Sequence, residues 1–425
     1  MSFFSATGTF AKSTGGAPVS QDINTTDTAT STAFVPKVLI LFATGYATVE
    51  DNMTAEMSFA KGFSDGTNGW SVVVSSDDNV STTICKRYHA AKALTIINNA
   101  GTVLAVCDAT FSANKFTVNW TTNNAVGLKI HYIALGGTDI TNVKVGSYTA
   151  DTTAAPNNQA VTGLGFQPTF LYELSMVNPT APPNVANHTQ SAWAFFNAST
   201  GAGGWTFAQH NVAPTPGSND SAIRINNFQA VITKATVVTY QGSHTLSSFD
   251  SDGFTVAWSV TPGTAFYIGY LAMAGNFQSY TPNGSVFSVT GTGDTSFTGF
   301  GFKPSAVLQI TNNGDALDIA DFGFGASSGG NANASNFAET WPSSIQRAYE
   351  GSSATYFGIL GTLAAPPVLQ AAIKLKTFDN DGITITADTL TATTGFAIIA
   401  FGAALVPSRF KVVQVKQAVN RAGSY

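Results

Sequence analysis

Charged residues are scarce in this chain. Asp, Glu, Lys and Arg make up 10% of its 425 residues, against about 25% in an average soluble protein. Thr, Ser, Asn, Gly and Ala take their place, so the sequence predicts a neutral, polar surface. The net charge is −5, and basic residues are never clustered beyond the pair Lys86 and Arg87. The sequence therefore lacks a stretch of basic residues that could contact the phosphates of a nucleic-acid backbone, which disfavours nucleic acid as a partner.

Cysteine and long apolar runs are also nearly absent. Cys85 and Cys107 are the two cysteines, and their spacing matches no metal motif. We expect buried free thiols, with pairing of the two left open. No stretch of about 18 apolar residues occurs, which predicts no membrane span. Residues 1–20 have neither the basic nor the apolar region of a signal peptide, so we expect synthesis and folding in a cytoplasm.

What the chain does contain is an internal repeat. Pro36, Pro168 and Pro304 lie 132 and 136 residues apart, and each follows an aromatic residue by two positions and opens an apolar strand. Each copy continues with a strand-turn-strand pattern and closes with an apolar strand that runs into glycine. We place the copies at residues 1–137, 138–276 and 277–405, here named segments I, II and III, and a tail at 406–425.

The pattern inside each copy predicts β-strands. Residues 254–258 and 383–386 alternate apolar and polar side chains, which is typical of a strand with one buried face. Asp-Gly steps ending at Gly253 and Gly382 predict tight hairpins with positive φ. We therefore expect an all-β protein of three tandem β-sandwich, jelly-roll-like domains. An extended N-terminal arm over residues 1–33 and a short C-terminal docking tail over 406–425 would flank them.

Residues that could perform chemistry do not recur between the copies. The Asp-X-Asp-Gly pairs resemble the start of a calcium loop, but Thr261 and Leu390 stand where a bidentate Glu is needed, which favours a hairpin turn. The histidines show no metal spacing, and His131 is expected at a surface or an interface. We expect no enzymatic activity, no catalytic residue, no cofactor and no metal.

The aromatic residues fall into two classes. Trp70, Trp120, Trp205 and Trp258 recur between copies and are predicted to be core residues. Aromatic residues that do not recur are candidates for contact with a partner protein or a glycan, because exposed rings stack on sugars and favour interfaces. These candidates are Trp193, Tyr88, Tyr349 and Tyr356.

The repeat resembles tandem β-sandwich modules in the structural proteins of tailed bacteriophages. The motifs that carry the resemblance are the Gly-Phe-X-Pro opening (165–171 and 301–308), the Phe-Asp-X-Asp-Gly-Phe-Thr-Val hairpin (249–256), and the Tyr-X-Ala strand at Tyr132 and Tyr270. It covers nearly all of the chain outside the two termini. Its motifs are structural, so it implies a type of module and a setting rather than a particular partner.

The resemblance implies a non-enzymatic virion protein exposed on the particle, as a capsid decoration or as a tail fibre or adhesin. Its expected partners are capsid or tail proteins and further copies of itself, arranged as a rod of three stiff units with one terminus docked. Two alternatives stay open. One is a receptor-recognition protein that binds host glycan for host attachment, and the other is a surface polysaccharide depolymerase.

Overall fold

The computed structural model describes residues 2–45, 52–80, 85–176, 180–187, 191–197, 206–210, 222–226, 230–234, 239–281, 287–312, 319–329, 331–340, 347–361, 368–391 and 394–403. Within these ranges the regular elements are β-strands, and every strand pairing is antiparallel. The expected all-β class is confirmed. No helix with the length and apolarity of a membrane span occurs in these ranges.

Segment I forms two sheets. Its strands are β1 (Phe4–Ala11), β2 (Val19–Asn24), β3 (Pro36–Thr44), β4 (Asn52–Ala55), β5 (Met57–Ser64), β6 (Gly69–Ser76), β7 (Cys85–Ala90), β8 (Leu94–Ile97), β9 (Val103–Ser112), β10 (Lys115–Thr122) and β11 (Lys129–Gly136). The larger sheet has the order β1-β11-β3-β5-β6-β7, and the smaller sheet has the order β2-β10-β9-β8.

Segment II contributes a similar pair of sheets. Its strands are β12 (Ile140–Thr149), β13 (Asn157–Thr162), β14 (Phe170–Ser175), β15 (Asn184–Asn187), β16 (Ala192–Asn197), β17 (Thr206–His210), β18 (Ala222–Asn226), β19 (Ala230–Lys234), β20 (Thr239–Asp250), β21 (Gly253–Val260) and β22 (Tyr267–Gly275). One sheet has the order β12-β22-β14-β16, and the other has the order β13-β21-β20-β19. Strands β17 and β18 pair with each other.

Segment III follows the same order of strands. Its strands are β23 (Gln278–Tyr280), β24 (Phe287–Val289), β25 (Gly293–Thr298), β26 (Ala306–Asn312), β27 (Ile319–Ser328), β28 (Asn331–Thr340), β29 (Arg347–Ser353), β30 (Gly358–Gly361), β31 (Leu369–Asp379), β32 (Gly382–Leu390) and β33 (Thr394–Gly402). The larger sheet runs β33-β26-β27-β28-β29, with β23 and β24 both on the outer side of β33, and the smaller sheet runs β25-β32-β31-β30.

The N-terminal residues belong to the sheets. Strand β1 pairs with β11 from Phe4 opposite Gly136 to Ala11 opposite Lys129, and β2 pairs with β10. The expected extended arm over residues 1–33 is therefore wrong for these strands. The physical reason is that Phe4 and Phe10 pack on core rings, which fixes the strand in place. The tail at 406–425 lies outside the described residues.

The two kinds of sheet differ in burial. In the smaller sheets buried and less buried positions alternate, as in β10, whereas every side chain of β5 is buried. One face of each larger sheet packs on its own smaller sheet. The other face joins a single hydrophobic cluster that includes Phe42, Trp193 and Phe324, one residue from each segment. The expected rod of successive units is therefore wrong, because the three segments share one core.

Short strands cross from one segment to the next. Strand β4 of segment I pairs with β29 of segment III, with Asn52 opposite Ser352. Strand β15 of segment II pairs with β7 of segment I, with Asn184 opposite His89. Each crossing strand covers the edge of a larger sheet that would otherwise expose unpaired N–H and C=O groups. Neighbouring segments are thus joined by backbone hydrogen bonds as well as by packing.

Candidate functional site

Three side chains from equivalent positions meet at the centre of the molecule. Lys61, Trp193 and Phe324 lie opposite Phe42, Leu174 and Ile310 on the neighbouring strand. Each of those partners is six residues after a repeat proline. The larger sheets therefore bring the same strand position of segments I, II and III to one point, and we call Lys61, Trp193 and Phe324 the central cluster.

The central cluster surrounds an amine with aromatic rings. The Nζ atom of Lys61 lies 3.1 Å from the ring centroid of Phe324, 3.9 Å from that of Trp193 and 4.9 Å from that of Tyr172. Lys61 is fully buried, and its Nζ has no hydrogen-bond partner among the described residues. Burial holds the pKa of Lys61 well below its ordinary value, whereas the rings favour the ammonium form. Because solvent does not reach this amine, it acts in packing.

Two histidines lie at the junctions between segments. Nε2 of His131 shares a hydrogen bond of 2.6 Å with the Ser352 hydroxyl of segment III. Nε2 of His89 donates to the carbonyl of Thr180 in segment II, at 3.1 Å. Burial lowers the pKa of His131 to about 3 and that of His89 to about 4. His131 is thus at an interface inside the chain rather than at its surface.

Carboxylates also hold segment III against segment I. Glu350 is buried and accepts the backbone N–H of Ser58 at 2.7 Å. Asp78 accepts the backbone N–H of Ala348 at 3.0 Å. These acids are occupied by backbone donors. In the ranges that the structure describes, no group of three or more His, Cys, Asp or Glu side chains is arranged to hold a metal ion.

Glu56 and Asp77 form a neighbouring pair that shares the amide of Asn99. Burial, followed by the proximity of Asp77, raises the pKa of Glu56 to about 7. Glu56 is therefore about half protonated near neutral pH.

The aromatic contact candidates are mostly buried. Trp193 and Tyr349 are each 1% exposed, and Tyr88 is 9% exposed, so the expectation of exposed rings is wrong for these three. They lie on β16, β29 and β7 of the larger sheets. Trp193 belongs to the cluster that the three segments share, whereas Tyr88 packs in the core between the two sheets of segment I. Tyr356 is half-buried, and the Lys374 ammonium lies 5.2 Å from its ring.

The recurring tryptophans are core residues, as predicted. Trp70, Trp120 and Trp258 are at most 2% exposed, and Trp205 lies outside the described residues. The indoles of Trp120 and Trp258 donate to Gln21 and Gln159 at 2.7 and 3.0 Å. Cys85 and Cys107 are both buried and do not form a disulfide bond, and burial raises the pKa of the Cys107 thiol.

The Asp-X-Asp-Gly sites are turns whose carboxylates are already occupied. Asp252 accepts the backbone N–H groups of Gly163 at 3.0 Å and of Gly165 at 2.5 Å. These donors, that of Gly165 first, lower the pKa of Asp252. Asp381 makes the same two contacts in segment III. A Cβ on Gly253 would lie 1.9 Å from the carbonyl oxygen of Val161, so glycine is required there by close approach.

We expect that calcium does not bind at these turns and therefore leaves the melting temperature of the protein unchanged. A cation bound only by the folded state would stabilise it, by about 2.7 kcal/mol at a hundredfold excess over Kd. Asp252→Ala should lower the melting temperature, because two N–H groups lose their acceptor. Thermal unfolding with calcium chloride or with EDTA measures both effects. A higher melting temperature in calcium that Asp252→Ala abolishes would restore the metal hypothesis.

Sequence reasoning missed the central cluster. The available signal was the uninterrupted burial of the larger sheets, since apolar runs such as residues 38–43 predict a strand covered on both faces. A lysine in such a sheet, as at position 61, is buried because neither face of the strand is exposed to solvent. Comparisons with protein-family models, with curated proteins and with solved structures found no match to this chain.

Proposed function

We propose that this chain is a non-enzymatic structural protein of a bacteriophage virion, exposed on the particle surface as a capsid decoration or as a tail fibre or adhesin. The convergence of Lys61, Trp193 and Phe324 carries the proposal. It joins three repeated units into one body, so equivalent positions of the three copies serve packing.

The repeated polar residues support a structural role. Asp252 and Asp381 stand at equivalent hairpins, and each is used by backbone N–H groups. Gln21 and Gln159 stand at equivalent strand positions, and each holds a tryptophan indole. Catalysis needs a nucleophile, a base and an orienting group within reach of a substrate, and these recurring groups are engaged in local structure.

The finer architecture is part of the proposal. We take each segment as one β-sandwich module of a larger and a smaller sheet, and the three modules as packed around the central cluster through their larger sheets. The smaller sheets then face outward, and their open faces carry Thr, Ser, Asn and Gln together with paired Lys and Asp side chains of balanced charge. This neutral surface suits a protein that contacts solvent and neighbouring virion subunits without nonspecific adhesion.

Analysis of virus particles tests the proposed function. Antibodies raised against the purified chain should label the surface of intact particles in immunogold electron microscopy, on the head or on the tail. Mass spectrometry of particles purified by density gradient should recover the chain in many copies. Recovery only from the unassembled fraction of infected cells would contradict the proposal.

The mass of the purified chain in solution tests the expected homo-oligomer. Sedimentation equilibrium should give a multiple of 44.1 kDa, because virion proteins assemble with closed symmetry. If the purified chain is a monomer at all concentrations, the expected homo-oligomer does not form in solution, and copies of the chain associate only within the particle.

A further inference from the structure

A cleft opens between segments I and II. It encloses about 390 Å³, near the lower end of the range of small-molecule sites, about 300–1,000 Å³. Its lining includes the exposed residues Thr67, Asn68 and Ser147 and the buried core residues Trp70 and Val145. A volume of this size accommodates one or two rings.

The matching position between segments III and I is covered. Gly8 lies opposite Tyr132 in segment I, and Gly146 lies opposite Tyr270 in segment II. Thr7 of segment I is therefore equivalent to Val145 of segment II. Between segments III and I, the hydroxyl of Ser328 contacts those of Thr7 and Thr28, each at 3.0 Å.

Thr28 belongs to the connection between β2 and β3, residues 25–35, whereas the equivalent connection between β13 and β14 spans only residues 163–169. The shorter connection of segment II has no counterpart of Thr28. Instead, Asp65 accepts the backbone N–H of Val145 at 2.9 Å, and the space beside this contact stays open. The cleft is thus a specific difference between two otherwise similar junctions.

The lining of the cleft combines hydrogen-bond donors and acceptors without net charge. Lys92 and Asp108 form an ion pair of 2.7 Å, with side chains 37% and 41% exposed. Hydroxyl and amide groups of Thr67, Asn68 and Ser147 add both kinds of polar group. A charged ligand would be attracted by one member of the Lys92–Asp108 ion pair and repelled by the other. Sugar hydroxyls both donate and accept hydrogen bonds, so they can bind to both members.

We infer that this cleft binds a neutral sugar residue of a glycan. Asp108 accepts hydrogen bonds from sugar hydroxyls, Lys92 donates to them, and the hydroxyls of Thr67 and Ser147 can do both. The inference goes beyond the proposed structural role and does not depend on it, because binding by the purified chain and presence in the particle are measured separately.

Saturation-transfer NMR on the full chain tests the inference, with methyl glycosides of glucose, galactose, mannose and N-acetylglucosamine as the four neutral probes and the methyl glycoside of glucuronic acid as a separate acidic probe. At least one probe should receive saturation from the wild-type protein. Asp108→Ala should weaken binding about tenfold, equivalent to about 1.4 kcal/mol. Ser147→Trp should abolish binding by filling the cleft.

Two control variants match these changes away from the cleft. Asp22→Ala removes the ion pair with Lys115 on the same smaller sheet, and Thr9→Trp places an indole at the position of segment I that is equivalent to Ser147. Both should retain binding. Melting temperatures establish that each variant is folded, and Asn68→Ala replaces Ser147→Trp if the latter does not fold.

Three outcomes would overturn the inference. They are the absence of transfer to all four glycosides, equal transfer in wild type and in folded cleft variants, and transfer to an acidic sugar in place of every neutral one. The first removes glycan binding by this chain, the second removes the cleft as its location, and the third removes the neutral ligand class.

Discussion

Lys61→Met is expected to raise the free energy of unfolding by about 1–3 kcal/mol. The Lys61 amine is fully buried and has no hydrogen-bond partner among the described residues. Desolvation of a charge costs several kcal/mol, and the surrounding rings offset about 2 kcal/mol of this cost. Methionine keeps the length of the side chain, and its sulfur makes favourable contacts with Trp193 and Phe324.

Urea denaturation of the wild type and of Lys61→Met measures this difference. The matched control is Lys374→Met, since the Lys374 ammonium also lies over an aromatic ring but its side chain is 42% exposed. The control should change stability by at most about 0.5 kcal/mol. A loss of stability in Lys61→Met would mean that attraction between the ammonium and the rings exceeds the cost of burial.

The pH dependence gives a second measure of Lys61. Its pKa is lowered on folding from 10.5, so the unfolded chain binds more protons between the folded pKa and 10.5. Stability from this residue therefore rises as pH increases through that window. Lys61→Met should remove that rise.

Acid is expected to destabilise the protein steeply below pH 6.5. Folding lowers the pKa of His131 to about 3 and that of His89 to about 4, in both cases chiefly through burial. Between these values and 6.5 the unfolded chain binds more protons, so stability is lost as pH falls. Each histidine contributes about 1.4 kcal/mol per pH unit in its window. Chemical denaturation at intervals from pH 7 to pH 4 measures the slope.

Variants separate the two histidines. His131→Gln keeps a hydrogen-bonding group beside Ser352 without a titrating ring, and it should reduce the slope by the contribution of one proton. His89→Gln should do the same at the junction with segment II, where an amide replaces the donor to Thr180. An unchanged slope in the double variant would show that other groups cause the acid sensitivity.

Glu56 acts in the opposite direction. Its pKa is raised on folding to about 7 from 4.5, so its contribution to stability is fully present below 4.5 and is lost as pH rises through 7. Between pH 4.5 and 6.5 it offsets part of the effect of the histidines. Glu56→Gln should therefore make the acid slope steeper in that window.

Local sequence patterns predicted the strands and turns because these depend on neighbours in the chain. The alternation in residues 254–258 matches strand β21, and Asp-Gly at 252–253 matches its hairpin with β20. The proline landmarks also have a physical basis, since each lies at or just before the start of a strand inside a larger sheet. Hydrophobic periodicity reports that a face is buried.

Periodicity does not report what covers a buried face. The convergence of Lys61 with Trp193 joins positions 132 residues apart, and no short-range pattern encodes such a contact. For the same reason the sequence makes Tyr349 a candidate for contact with a partner protein or a glycan, although its own chain buries it. The cleft could not be predicted from sequence periodicity either, because it arises from the length of one connection relative to its counterpart in another segment.

The strands that cross between segments have a consequence for how the protein denatures. Strand β4 completes a sheet of segment III, and β15 completes a sheet of segment I. Loss of segment I would thus expose a sheet edge in segment III and leave β15 without its pairing strand. Heat should therefore melt the chain in one cooperative calorimetric peak, whereas independent modules would melt in up to three.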